Sequence, residues 1–365
     1  MKVLILSCST GGGHNSCAKY IKQELEDNRI SVDFYDFFDI VKENAKDISS
    51  KMYLMSLGKN GNLFKNIYKL GELYSKTKIK SPVYLANKLY KTKLYDFINK
   101  NKYDLVITTH LFPSLTLTAI NKSENYTHIN FLFVVTDYEP CPFIEESKPN
   151  YFIMQKGIEN KFYKKGIRKE SLLNFGIPVS TKFIDTAKNI KKDLNILNEK
   201  VILIMLGSMG FGNVNEIIND LLKKDNIKII IVCGSNENLF NSLNTIKNDK
   251  LIVLGFVNNI NDLIYSSDII LSKPGGLSST EIAVFRKPLV HIFPIPGIET
   301  YNSEFFYNKK MSLKADKNED IIKNINTLLD NEDIQKELIN NQKKFINCNA
   351  AKNLVNFIKK NYNKQ

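Results

Sequence analysis

Three short segments hold the residue types from which chemistry could be built. In the first, Ser7-Cys8-Ser9-Thr10-Gly11-Gly12-Gly13-His14-Asn15-Ser16, three successive glycines and one of only four histidines separate an apolar run from a helical stretch. Glycines let a backbone come close to a ligand and adopt positive φ. A helix beginning near His14 or Asn15 turns its unpaired N–H groups toward whatever binds at the strand end. Imidazole, titrating near roughly 6.5, is suited to taking a proton from a hydroxyl at neutral pH. The second segment is Leu271-Ser272-Lys273-Pro274-Gly275-Gly276-Leu277-Ser278-Ser279-Thr280-Glu281. A buried strand ends here in Pro-Gly-Gly, with a helix expected to start at Ser278 or Ser279, whose hydroxyls can cap it and donate to a phosphate. Glu281 lies one turn in, within reach of a ribose diol, which is the logic of a dinucleotide site on different spacing. The third, Phe293-Pro294-Ile295-Pro296-Gly297-Ile298-Glu299-Thr300-Tyr301-Asn302, is a Pro- and Gly-stiffened loop suited to holding sugar hydroxyls.

These loops need a frame, and short apolar runs alternating with helical stretches supply one, the pattern of a parallel α/β sheet. The expected strands are Val3–Ser7, Val32–Tyr35, Leu105–Thr108, Asn130–Val135 and Tyr151–Met154, then Val201–Leu206, Ile227–Val232, Leu251–Leu254, Ile269–Leu271 and Leu289–Ile292. At 365 residues the chain exceeds the roughly 250–300 that one core organises. The sequence therefore reads as a first domain over 1–183, a polar linker over 184–200, a second domain over 201–345, and a helix over 346–365 that packs back on the first domain. No apolar run approaches the roughly 18 residues of a membrane-spanning helix. Five scattered cysteines without a CxxC argue for a reducing cytosol and against a zinc site.

The net charge is +13, carried almost wholly by Lys, and it is unevenly placed. Between residues 51 and 102 twelve lysines face only Glu72 and Asp96, interleaved with Tyr53, Phe64, Tyr68, Tyr74, Tyr84, Tyr90, Tyr95 and Phe97. Lysines alternating with aromatic and aliphatic residues describe a surface that lies on an anionic bilayer. Nucleic acid is disfavoured as the partner, because strand contacts usually recruit Arg and this stretch has none.

Taken in order, Gly-Gly-Gly-His, Lys-Pro-Gly-Gly and Pro-Gly-x-Glu-x-x-Asn resemble the monogalactosyldiacylglycerol synthases and processive diacylglycerol glucosyltransferases. These belong to glycosyltransferase family 28, with the peptidoglycan lipid-intermediate N-acetylglucosaminyltransferase as a relative. The resemblance runs from about Met1 to about Lys310. It implies a GT-B fold, two Rossmann-like domains with parallel sheets facing an interdomain cleft. It also implies an inverting, metal-independent hexosyltransferase that needs no cofactor beyond a UDP-sugar co-substrate. On this chain it would put the diphosphate against Gly275, Gly276, Leu277, Ser278 and Ser279 with help from Lys273, and the ribose on Glu281. Gly207, Ser208, Met209 and Gly210 would line the donor site, Phe256 and Val257 would meet the uracil, and Gly297, Glu299 and Asn302 would face the sugar. Gly11, Gly12 and Gly13 would form the acceptor loop. His14 is the favoured base, and Asp137, in Val134-Val135-Thr136-Asp137-Tyr138, is either its rival or its orienting partner. Ile298 stands where the family usually has Gln, which leaves the donor hexose open. Cys141 and Ile144 replace the usual His and Trp, which leaves the acceptor open between diacylglycerol, a glycosyl-diacylglycerol, another lipid and a soluble molecule. The expected setting is peripheral, on the inner face of the cell membrane. A UDP-N-acetylglucosamine 2-epimerase of the same fold and a non-catalytic module that binds anionic lipid or nucleic acid through the basic stretch are the competing readings.

Overall fold

Strands buried on both faces read as unbroken apolar runs, and Val3–Leu6, Val201–Ile204 and Ile269–Leu271 are all almost wholly buried. In the computed structural model, which describes residues 1–9, 12–41, 71, 74, 79–207 and 214–362, these runs build two six-stranded sheets. The first contains β1 (Lys2–Ser7), β2 (Ser31–Asp36), β3 (Leu105–Thr108), β4 (Phe131–Val134), β5 (Tyr151–Ile153) and β6 (Leu172–Leu173), in the order β2-β1-β3-β4-β5-β6. The second contains β7 (Lys200–Met205), β8 (Ile227–Val232), β9 (Leu251–Leu254), β10 (Ile269–Ser272), β11 (Leu289–His291) and β12 (Leu313–Lys314), in the order β12-β11-β10-β7-β8-β9. Every pairing is parallel. The ten strands expected from the apolar runs are present, their ends displaced by at most one residue. The two-residue edge strands β6 and β12 are additions, too short to leave a periodic signal.

The helices used below are α1 (Gly12–Asp27), α2 (Pro82–Lys88), α3 (Leu111–Asn121), α4 (Gly276–Val284), α5 (Ile298–Asn308), α6 (Glu332–Phe345) and α7 (Ala350–Tyr362). The chain divides into two units, one of Met1–Thr181, Ile295–Ile298 and Asn347–Gln365, the other of Lys182–Pro294 and Glu299–Ile346. The C-terminal helix α7 thus belongs with the first unit, where Phe357 meets Tyr151 and Phe175 edge-on and Asn347 Nδ2 donates to the carbonyl of Phe175 at 2.8 Å.

The polar stretch expected to be a linker is fastened to the second unit. Lys188 N–H donates to Asp262 at 2.8 Å, Ile190 N–H donates to Ser266 Oγ at 2.9 Å, and Lys191 pairs with Asp268 at 2.8 Å. Its lack of apolar periodicity hid these polar ties.

Each sheet has one topological switch point, where successive crossovers leave in opposite directions. In the first it lies between β1 and β3, in the second between β7 and β10. Ligands of open α/β sheets bind outside the carboxyl ends of the strands at that point. The loop of His14 follows β1, and the loop of Pro274 follows β10.

Candidate active site

In the first unit α1 begins at Gly12, two residues before His14, so the imidazole stands on the first turn of the helix. Gly11 lies outside the described residues, while Gly12 and Gly13 are exposed. The loop after β1 is held by Asp36, whose Oδ2 accepts from Ser9 N–H at 2.8 Å and from Ser9 Oγ–H at 2.6 Å. Asn15 Nδ2 donates to Ser9 Oγ at 3.0 Å. His14 Nδ1 lies 2.9 Å from the carbonyl oxygen of Thr109 and 2.9 Å from Thr136 Oγ1. A carbonyl only accepts, so Nδ1 carries the proton, and in the neutral ring Nε2 is the basic nitrogen. Burial lowers the pKa of His14, while the charge of Asp137 and the Thr109 hydrogen bond oppose that shift. Asp137 follows β4, three residues past its last strand position.

A second histidine stands beside the first. His110 caps α3, its Nδ1 accepting from Phe112 N–H at 3.2 Å, and its ring packs edge-to-face on His14 with centroids 4.8 Å apart. That cap requires an unprotonated Nδ1, and burial together with His14 holds the pKa of His110 well below the usual histidine range. His110 is therefore a neutral neighbour of His14. Sequence reasoning passed over it, along with Thr109 and Asp36, and noted Thr136 only in the segment that holds Asp137. The carboxyl ends of β1, β2, β3 and β4, adjacent in one sheet, bring these residues together.

In the second unit α4 begins at Gly276 with Gly275 as its N-cap, φ −64° and ψ 140°. A glycine cap has no side-chain oxygen to occupy the first-turn donors. The amides of Gly276, Leu277 and Ser278 therefore stand at the positive end of the helix without an intrahelical acceptor. Sequence reasoning expected the helix to start two or three residues later with a serine cap. Ser279 instead lies inside the helix and fully buried: its N–H donates to the Gly275 carbonyl at 2.9 Å, and its Oγ is 3.0 Å from His291 Nε2. His291 Nδ1 is 3.2 Å from Ser312 Oγ, so one buried imidazole ties α4 to the edge of the sheet.

The turn before α4 is braced from α5. Asn302 is completely buried and its Nδ2 donates to the carbonyl of Pro274 at 3.0 Å. In this structure its amide nitrogen holds the Pro-Gly-Gly turn. One turn earlier, Glu299 approaches Lys273, with Nζ 3.6 Å from Oε2. Burial pushes the Lys273 ammonium pKa down and the Glu299 carboxylate pulls it back up. Glu281 is buried on α4, Phe256 is 68% exposed after β9 with Val257 partly buried beside it, and Gly207 and Gly297 take positive φ of 76° and 113°. Ser208, Met209 and Gly210 lie outside the described residues. The structure thus gathers Lys273, Gly275, Gly276, Leu277, Ser278, Glu299 and Asn302 around one helix start.

Two parallel sheets of this order, each with a loop of anion- or proton-handling residues at its switch point, define an α/β protein of the GT-B class. The structure resembles that of MurG from Acinetobacter baumannii, with a TM-score of 0.64 and 16% identity over 99% of this chain and 100% of the other. It also resembles the UDP-GlcNAc 2-epimerase of Neisseria meningitidis bound to UDP-GlcNAc, at 0.61 and 16% over 99% and 100%. Residues 14–179 match the monogalactosyldiacylglycerol (MGDG) synthase family, and residues 201–356 match the glycosyltransferase family 28 C-terminal domain. A processive diacylglycerol beta-glucosyltransferase of Staphylococcus aureus (strain Newman) is 30% identical over 344 residues, covering 90% of this chain and 84% of the relative. The chain belongs to the monogalactosyldiacylglycerol synthase and processive diacylglycerol glucosyltransferase family, and it is a UDP-sugar-dependent hexosyltransferase.

Proposed function

We propose that this enzyme moves a hexose from a UDP-sugar to the hydroxyl of diacylglycerol or a glycosyl-diacylglycerol, with inversion and without a metal, at the cytoplasmic face of the membrane. The observation that carries the donor half is the uncapped start of α4. The amides of Gly276, Leu277 and Ser278 supply three fixed donors to a diphosphate, at a helix end that favours negative charge. Lys273 adds a cation as the leaving group gathers charge, Glu281 holds the ribose, and Glu299 meets the sugar. Fixed donors of this kind need no reorganisation when the bond to the diphosphate breaks.

The acceptor half rests on His14. Its Nε2 takes the proton of the acceptor hydroxyl as that oxygen bonds to the anomeric carbon, and the bond from that carbon to the diphosphate oxygen breaks on the opposite side. UDP departs with the electron pair, and a single displacement inverts the anomeric centre. Asp137, whose charge favours the imidazolium, steadies the protonated ring.

The acceptor class is supported by the relatives' names, which are diacylglycerol glucosyltransferases. Among the described residues no helix is long and apolar enough to cross a membrane. Attachment is assigned to the Lys-rich aromatic stretch 51–102 on its charge and composition, and of it residues 51–70, 72–73 and 75–78 lie outside the described residues. The test is incubation with UDP-glucose, UDP-galactose and UDP-N-acetylglucosamine, each with diacylglycerol micelles, with and without a chelator. The expected product is a β-glycolipid formed equally in both. An α-anomer, loss of activity with chelator, or turnover of UDP-N-acetylglucosamine without any acceptor would refute the corresponding part.

A further inference from the structure

The turn from β3 to α3 is two residues long, Thr109 and His110, and both of them hold His14. The carbonyl of Thr109 accepts from His14 Nδ1–H at 2.9 Å, with Thr136 Oγ1 2.9 Å from the same nitrogen. His110 meets the His14 ring edge to face, with centroids 4.8 Å apart and planes at 86°. The ring of His110 packs in turn on Phe112 at 4.5 Å, and Phe112 packs on Phe38 at 6.0 Å. Phe38 is buried in the apolar cluster that includes Leu4, Leu6 and Phe131. A continuous row of rings thus runs from the core of the first unit to His14.

Capping alone does not account for a histidine at this position. Asn, Asp, Ser and Thr are the side chains that cap helices best, and His is not among them. The cap does fix the chemistry of the ring. His110 Nδ1 accepts from Phe112 N–H at 3.2 Å, so its lone pair is engaged and Nε2 carries the proton of the neutral ring. Protonating Nδ1 would break the cap, and it would set a second cation beside His14 whenever His14 is charged. Burial and the neighbouring His14 both hold His110 neutral, so a proton delivered to His14 stays there. The charge that acts on His14 from the end of β4 is that of Asp137, and it favours the imidazolium.

We propose that His110 is a positioning residue for the transfer: its ring fixes the plane of His14, so that Nε2 points at the acceptor hydroxyl, and it shields that imidazole from water. This role rests on the assignment of His14 as the base, and it belongs to the ring of His110, whereas the cap is a separate duty that another side chain could take over. Misplacing a reacting group by about 1 Å costs on the order of a hundredfold in rate. Loss of the ring would also hydrate His14, relieve the burial that lowers its pKa and bring that value back toward roughly 6.5.

Two variants of the full chain part the ring from the cap. His110→Asn keeps a capping oxygen and removes the ring, while His110→Phe keeps a ring and removes the cap. Both are compared with wild type and with His14→Ala in diacylglycerol micelles, using whichever of the three UDP-sugars turns over. The readouts are kcat and kcat/KM across pH, UDP affinity by calorimetry and thermal melting. His110→Asn should melt with wild type and bind UDP as tightly, yet lose about 10–100-fold in kcat. The acidic limb of its kcat/KM profile should move up toward roughly 6.5, a shift that loss of a purely structural contact would not produce. His110→Phe should melt a few degrees lower but keep most of the wild-type kcat and the wild-type acidic limb. A wild-type rate and acidic limb in His110→Asn would overturn the positioning role. So would a His110→Phe enzyme that is folded yet as slow as His110→Asn. An inactive His14→Ala beside two normal His110 variants would sink this role alone, whereas normal turnover by His14→Ala would sink the base assignment and this role with it.

Discussion

The Nδ1 atom of His14 lies 2.9 Å from the carbonyl oxygen of Thr109, and that contact settles which nitrogen of the ring is basic. The carbonyl fixes the proton on Nδ1, so Nε2 is the atom available to an acceptor hydroxyl. Burial holds the pKa of His14 below the ordinary histidine value. A general base must be neutral, so activity is expected to persist as pH falls below about 6.5 and to decline only through the lowered value. The pH dependence of kcat/KM checks this. His14→Ala should cost about 10²–10⁴-fold in kcat/KM, and Asp137→Asn should move the acidic limb lower still, because the charge that favours imidazolium is gone. Near-normal turnover in His14→Ala with none in Asp137→Ala would reverse the two roles.

Gly275 allows donor binding to be separated from folding. Its φ of −64° suits any residue, and a Cβ there would meet only Ser278 Oγ at 3.8 Å, an ordinary contact. Gly275→Ala should therefore leave the melting temperature within a few degrees of wild type. The methyl would nonetheless stand at the uncapped helix start, where the proposed diphosphate site needs close approach to the backbone. The expectation is a loss of UDP affinity of about tenfold or more, read by calorimetry, and unchanged affinity would move the diphosphate elsewhere.

The sequence made the sheets and the two switch-point loops legible for one physical reason. Strands covered on both faces must be continuously apolar, and loops that approach a ligand or turn sharply concentrate Gly and Pro. Ten strands and the positions of His14 and Pro274 followed from that. Long-range polar contacts leave no such trace. Nothing local in Thr-Thr-His-Leu-Phe announces that Thr109 and His110 will meet His14, 95 residues away in the contact from Thr109. The same holds for Asn302. Its place in Pro-Gly-x-Glu-x-x-Asn suggested a sugar contact, and nothing local announces that its amide also donates to the carbonyl of Pro274, 28 residues back. Ser279 was misplaced because hydroxyls near a helix start usually cap it, whereas Gly275 already occupies the cap and leaves Ser279 to His291.

Asn302 yields a prediction that separates bracing from sugar contact. Asn302→Ala removes the donor to the buried Pro274 carbonyl, which costs about 1–3 kcal/mol for an unsatisfied group. The loosened turn should weaken UDP itself as much as the UDP-sugar, by roughly tenfold. A residue that touched only the hexose would weaken the UDP-sugar and spare UDP. Titration with the two ligands distinguishes the cases.

His291 links this unit to acid pH. Burial lowers its pKa to about 3, and its two nitrogens lie between Ser279 and Ser312. An unfolded chain would take up a proton on this ring near roughly 6.5. Above that value neither state is protonated and His291 contributes no slope. As pH falls through the window from about 6.5 to about 3, the unfolded state binds a proton that the native state refuses, and stability drops by about 1.4 kcal/mol per unit. His14 and His110 are shifted in the same direction, so the wild-type slope alone does not isolate His291. The difference from His291→Gln does. Gln removes the titration while keeping polar groups beside both serines, so the variant should be less stable than wild type at pH 7.5 and close the gap as the solution is acidified. The chain has no tryptophan, so urea transitions followed by circular dichroism at a series of pH values provide the measurement. A gap that stays constant with pH would mean that His291 is protonated in the native state and that the Ser279 contact is made by an imidazolium.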